Sequence, residues 1–89
     1  MRRSSLEMDV AILQALSTKK QLRVTHIMYK SNLNANTLKK KLEVLEAKGL
    51  IRTQRVSGRK KTVLYGVTSI GLDILRSFFS VRNALVETE

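Results

Sequence analysis

The feature that most constrains this chain is a change of hydrophobic period at Gly49. Before it, Leu38, Leu42 and Leu45 recur at i, i+4 and i+7, which is one face of a helix. After it, IRTQRV and TVLYGV are β-rich runs separated by the five residues SGRKK. One element cannot carry both periods, so a helix must end near Gly49 and two strands must follow. Gly49 stands where a left-handed C-terminal cap is wanted, and the Gly58-containing loop closes a hairpin over 51–67.

The remaining elements arrange themselves around that boundary. Ser4 with Glu7 three residues later reads as a capping box opening a first helix over 4–18. Its apolar residues fall on two edges, Leu6, Val10 and Leu13 on one and Met8, Ile12 and Leu16 on the other, which implies burial on more than one side. QLRV is a candidate short strand. THIMYKSNL predicts a short second helix over 24–32, capped by Thr25, with Ile27, Met28 and Leu33 inward. Asn34 caps the third helix, 34–48, and Thr68 or Ser69 caps a last one over 69–86. With no Pro-rich linker and no internal repeat, 1–89 reads as a single domain.

Charge then narrows the partners. The net charge is +10, and its distribution is uneven: Lys19 to Lys61 holds 13 Lys and Arg against Glu43 and Glu46, whereas the two ends hold four basic and five acidic residues. A positive middle between near-neutral ends points to a polyanion, because neutralising phosphates releases counterions. The basic residues do not line one face of a single amphipathic helix, which argues against a membrane surface. There is no Cys, so disulfides and cysteine-based zinc sites are excluded. No apolar run approaches the roughly 20 residues of a membrane span, and the first ten residues lack the centre of a signal peptide. A cytoplasmic, nucleoid-associated protein is expected.

A short helix, a tight turn, a longer helix and then a hairpin make the winged helix-turn-helix arrangement, mainly α with a β-hairpin wing. The segments IMYKSNLNANTLKKKLEVLEAKGLI and LYGVTSIGLDIL resemble small archaeal winged-helix DNA-binding proteins over residues 22–75. That group holds transcriptional regulators and chromatin-type proteins that dimerise through a C-terminal helix. The resemblance implies binding to double-stranded DNA as a homodimer, in transcription regulation or as a nucleoid protein.

Residue chemistry supplies candidate contacts. At about 100° per residue, burying Leu38, Leu42 and Leu45 turns Asn36 and Lys40 outward, followed by Glu43 and Ala47, with Thr37 and Lys39 flanking. In a major groove Asn pairs with adenine, Lys donates to guanine and Thr contacts a base or a thymine methyl. Asn36, Thr37 and Lys40 are therefore expected at bases, and Lys39 and Lys41 at phosphates. Arg59, Lys60 and Lys61 crowd the hairpin tip with Arg55 behind them, an arrangement suited to phosphates or a minor groove. Arg23 and Lys30 are further phosphate candidates near the ends of the second helix. Tyr29 either donates to a phosphate or packs. His26, the only histidine, has no companion ligand or nucleophile, and the carboxylates are too scattered for acid/base work. No enzyme activity, cofactor, metal or small-molecule ligand is expected.

The last helix carries two apolar stripes, Ile70, Ile74, Phe78, Val81 and Leu85 on one side and Leu72, Leu75, Phe79 and Val86 on the other. One packs on the domain and the other needs a partner. Leu72, Leu75, Phe79 and Val86 are assigned to a dimer interface, which would space two recognition helices for successive grooves. Two competing readings remain from the residues: an RNA-binding winged helix, for which stacking aromatics are few, and a module that docks an acidic protein.

Overall fold

The computed structural model describes residues 4–19, 21–56 and 62–86. Four helices and three strands follow in the order α1 (Ser5–Ser17), β1 (Leu22–Arg23), α2 (Val24–Ser31), α3 (Ala35–Ala47), β2 (Ile51–Val56), β3 (Thr62–Val67) and α4 (Ser69–Val86). The sheet is antiparallel in the order β1-β3-β2, with Leu22 opposite Tyr65 and the hairpin pairing from Ile51–Val67 out to Val56–Thr62. The hairpin tip lies outside the described residues.

Helix α1 is the centre of the core. Its capping box forms as expected, Ser4 Oγ accepting from the Glu7 amide at 3.0 Å and Glu7 reaching back to the Ser4 amide. Ile12 and Leu16 have no exposed surface, so burial on two sides holds; it begins only at Val10, and Leu6 in the first turn stays exposed. Around α1 gather Leu22, Ile27, the α3 leucines Leu38, Leu42 and Leu45, Ile51 and Leu75. Each such side chain contributes about 1.5–3 kcal/mol by leaving water.

Helix α2 departs from expectation at its start. Thr25 is not the cap; it is an exposed residue inside the helix. The capping position is Arg23, extended at φ −79° and ψ 157°, with no side-chain cap hydrogen bond. Pairing of Leu22 and Arg23 with β3 delivers the chain already extended, so the helix begins directly at the strand end. At the other end Asn32 takes a left-handed conformation (φ 57°, ψ 39°), which makes the sharp turn into α3.

Helix α3 is capped at both ends as the sequence predicts. Asn34 Oδ1 accepts from the Thr37 amide at 2.8 Å. Past Ala47 the Gly49 amide donates to Glu46 at 2.9 Å and the Leu50 amide to Leu45 at 3.0 Å, a Schellman arrangement that needs the positive φ of 77° at Gly49. Leu50 is then tied to the start of α4. Its carbonyl accepts from the Thr68 amide at 3.1 Å, while the Thr68 hydroxyl donates to the Gly49 and Leu50 carbonyls and accepts from the Gly71 amide as the α4 cap. Helix α4 presses so closely here that a Cβ on Gly71 would lie 2.2 Å from the Leu50 carbonyl oxygen.

Candidate nucleic-acid interface

The first two turns of α3 bury Leu38 and turn their other side away from the fold. Asn36, Lys39 and Lys40 are exposed, and Thr37 is half-buried with its amide held by Asn34. The run of three lysines is nevertheless divided. Lys41 turns toward α1, where its Nζ lies 3.2 Å from Asp9 Oδ1 and donates to the Ser5 carbonyl at 3.3 Å and to the Ser5 hydroxyl. Its side chain is only 19% exposed. The expectation that Lys41 grips a phosphate is corrected: one helical step from Lys40 carries it about 100° around the axis to face an acidic residue of another helix. It joins α3 to α1.

The hairpin root borders the outward face of α3. Along β2 the faces alternate, so Ile51, Thr53 and Arg55 share the side whose first residue is buried against the core, and Arg52 and Gln54 lie on the other. Thr53 donates its hydroxyl to Glu46 of α3, and Tyr65 pairs with Thr53 across the sheet. Burial, followed by the nearby carboxylates of Glu46 and Glu43, raises the Tyr65 pKa, with Arg55 acting the other way. The Thr53–Glu46 contact thus joins helix and hairpin, with Arg55 on the same side of β2 as Thr53. Arg59, Lys60 and Lys61 lie outside the described residues, on the connection that continues from Val56 and returns at Thr62.

The other two cations do not join this group. Arg23 ends β1, on the edge of the sheet opposite β2. Lys30 is exposed beside a depression lined by Ala11, Gln14, Ala15 and Thr18, on the α1 side of α2. The surface of α2 near the turn instead holds Thr25, Tyr29 and Asn32 around a cleft floored by Met28 and Leu33. Tyr29 is 91% exposed, which rejects the packing role for it. His26 is exposed as well.

The family profile described as winged helix-turn-helix matches residues 2–85. The chain belongs to the winged helix-turn-helix family. Among solved structures this winged helix is similar to a transcriptional regulator homologue from Pyrococcus horikoshii at 20% identity, with a TM-score of 0.82 over 96% of this chain and 89% of the other. A DNA-binding protein from Sulfolobus solfataricus is 19% identical, with a TM-score of 0.74 over 97% and 88% of the two chains. The transcriptional regulator BldR from the same organism is 25% identical, with a TM-score of 0.73 over 91% of this chain and 58% of its own. No curated protein matches by sequence.

The last helix of this winged helix reverses the expected use of its stripes. Leu75 is 6% exposed in the monomer's own core, and Leu72 and Phe79 are half-buried there, so the assignment of Leu75 to a partner is corrected. The side chain of Val86 lies outside the described residues. Phe78 also packs on the domain, edge to face with Phe79 at 5.7 Å between ring centres. Left exposed are Ile70 (57%), Ile74 (44%), Val81 (60%) and Leu85 (72%). Gly71 sets this rotation: its contact with Leu50 turns the 71–75 face inward, since i and i+4 share a side. The corresponding signal in the sequence is Gly71 itself, a glycine in an otherwise good helix. Among the described residues no helix is long and apolar enough to cross a membrane, and no three His, Asp or Glu residues group to hold a metal ion.

Proposed function

We propose that this winged helix binds double-stranded DNA as a homodimer and regulates transcription. In this reading the start of α3 enters the major groove, with Asn36, Thr37 and Lys40 at base edges and Lys39 at a phosphate. Arg55 and the tip residues Arg59, Lys60 and Lys61 hold the flanking backbone or minor groove. The observation that carries the reading is the exposure of Asn36, Lys39 and Lys40 on the side of α3 opposite the buried leucines, next to a hairpin whose loop is basic. The regulator is preferred to a non-specific nucleoid protein because Asn and Thr stand among the lysines, and those side chains read bases where lysine alone would suffice for phosphates.

The second copy is assigned to the exposed face of α4, where Ile70, Ile74 and Val81 lie on one side of the helix. A two-fold contact there is self-complementary and sets the separation of the two α3 helices. The partner is a duplex and the role is binding, with no catalytic step.

Affinity for duplex DNA, single strands and RNA across a salt series tests this. The duplex is expected to bind tightest, with log K falling by about 0.9 per phosphate contact for each unit of log salt. Equal affinity for all three, or indifference to salt, would overturn the reading.

A further inference from the structure

The outward line of α3 does not stop at Lys40. Glu43 continues it, exposed, and with Asn36 and Lys40 falls in an arc of about 60° around the helix axis. At about 1.5 Å of rise per residue, Asn36 to Glu43 spans about 10 Å, or three base-pair steps of about 3.4 Å.

Two acidic residues stand on this half of the helix, and they are differently placed. Glu46 is drawn to the hairpin by the Thr53 hydroxyl. Glu43 has no such partner, and the ion pairs among the described residues are Lys41–Asp9 and Arg76–Asp73. Among the described residues it is therefore unpaired, in the most basic stretch of the sequence, where 13 Lys and Arg accompany two carboxylates. Glu43 lies one turn before Glu46, the residue tied to Thr53, which sets it on the hairpin side of the outward face. A duplex held by both α3 and the hairpin has to pass over it.

Phosphates repel a carboxylate, and so do most base edges. Guanine offers N7 and O6, thymine offers O4, and adenine sets its N7 acceptor beside the N6 amino group; only cytosine presents an amino donor without an acceptor on the same ring edge. Building on the DNA-binding reading above, we propose that Glu43 is a specificity-determining residue whose carboxylate accepts from the N4 amino group of a cytosine, beyond the base pair met by Lys40. It also turns away duplexes that place an acceptor there. The acidic residue converts a generally sticky surface into a selective one.

Selecting bound duplexes from a random library with native protein, Glu43→Gln and Glu43→Ala tests this. Native protein is expected to fix one G·C pair beside the Lys40 position. Glu43→Ala should lose preference at that pair alone, by roughly 5- to 150-fold, and Glu43→Gln should shift it toward A·T, since glutamine pairs with adenine. Methylating the N4 amino group of that cytosine should weaken native binding and leave Glu43→Ala unaffected. An unchanged motif in both variants, or equal tightening on every sequence in Glu43→Ala, would overturn the role of Glu43 while leaving DNA binding intact. A flat native motif has the same effect, whereas absence of duplex binding by native protein removes both readings.

Discussion

Helix α3 buries Leu38, Leu42 and Leu45 and turns Asn36, Lys40 and Glu43 outward; helix α4 buries Leu75, half-buries Leu72 and Phe79, and turns Ile70, Ile74 and Val81 outward. The inward faces obey one rule, since both fill the same core around α1. The outward faces obey none that folding imposes. A water-facing surface tolerates almost any polar residue, so the cations of one and the branched apolar residues of the other reflect what each meets. The first suits a polyanion and the second a protein surface.

The sharpest way to break this contrast is to charge the apolar face. Ile74→Glu combined with Val81→Glu is expected to halve the mass in light scattering and weaken duplex binding by roughly 100-fold, as two linked sites become one. An unchanged mass would place the interface elsewhere. Leu75→Ala probes the inward side of the same helix: unfolding by urea should show a loss of about 2–5 kcal/mol, with the mass unchanged. If that variant became monomeric without losing stability, the two stripes would have to exchange roles.

The lysines of α3 and the hairpin supply finer tests. Lys60→Ala with Lys61→Ala should weaken all sequences alike and make the salt slope shallower by about 2. Lys41→Met should leave that slope untouched and remove about 0.2–1 kcal/mol of stability with the Asp9 contact. A slope that moved with Lys41 would return it to the DNA. Smallest is Asn34→Ala, which deletes the α3 cap and should lower stability by about 1 kcal/mol in the same urea titration.

What could be read from the sequence was whatever depends on near neighbours. The capping box at Ser4 and Glu7, the Asn34 cap, the leucine stripe and Gly49 each involve residues a few positions apart, and each stands where local chemistry put it. Thr25 failed as a cap because β1 pairs with a strand some 40 positions later in the chain, at Leu64 and Tyr65. Lys41 departs from its expected phosphate role for the same kind of reason: the residue that pairs with it, Asp9, lies on another helix. The stripes of α4 are similarly apolar, so periodicity could find both and rank neither. Only the depth of Gly71 against Leu50 decides between them.

The hydrogen bond from Thr68 to the Leu50 carbonyl has one more consequence. It brings together the residues just before β2 and just after β3, so the hairpin leaves and rejoins the main path of the chain at a single point. From the end of α3 to the start of α4 the route is already continuous without it. Lengthening the hairpin beyond the Val56–Thr62 pair therefore leaves the core-facing root and its pairing with β1 in place, because closing a longer loop costs little. How far the hairpin reaches and how α4 is placed thereby become independently adjustable dimensions.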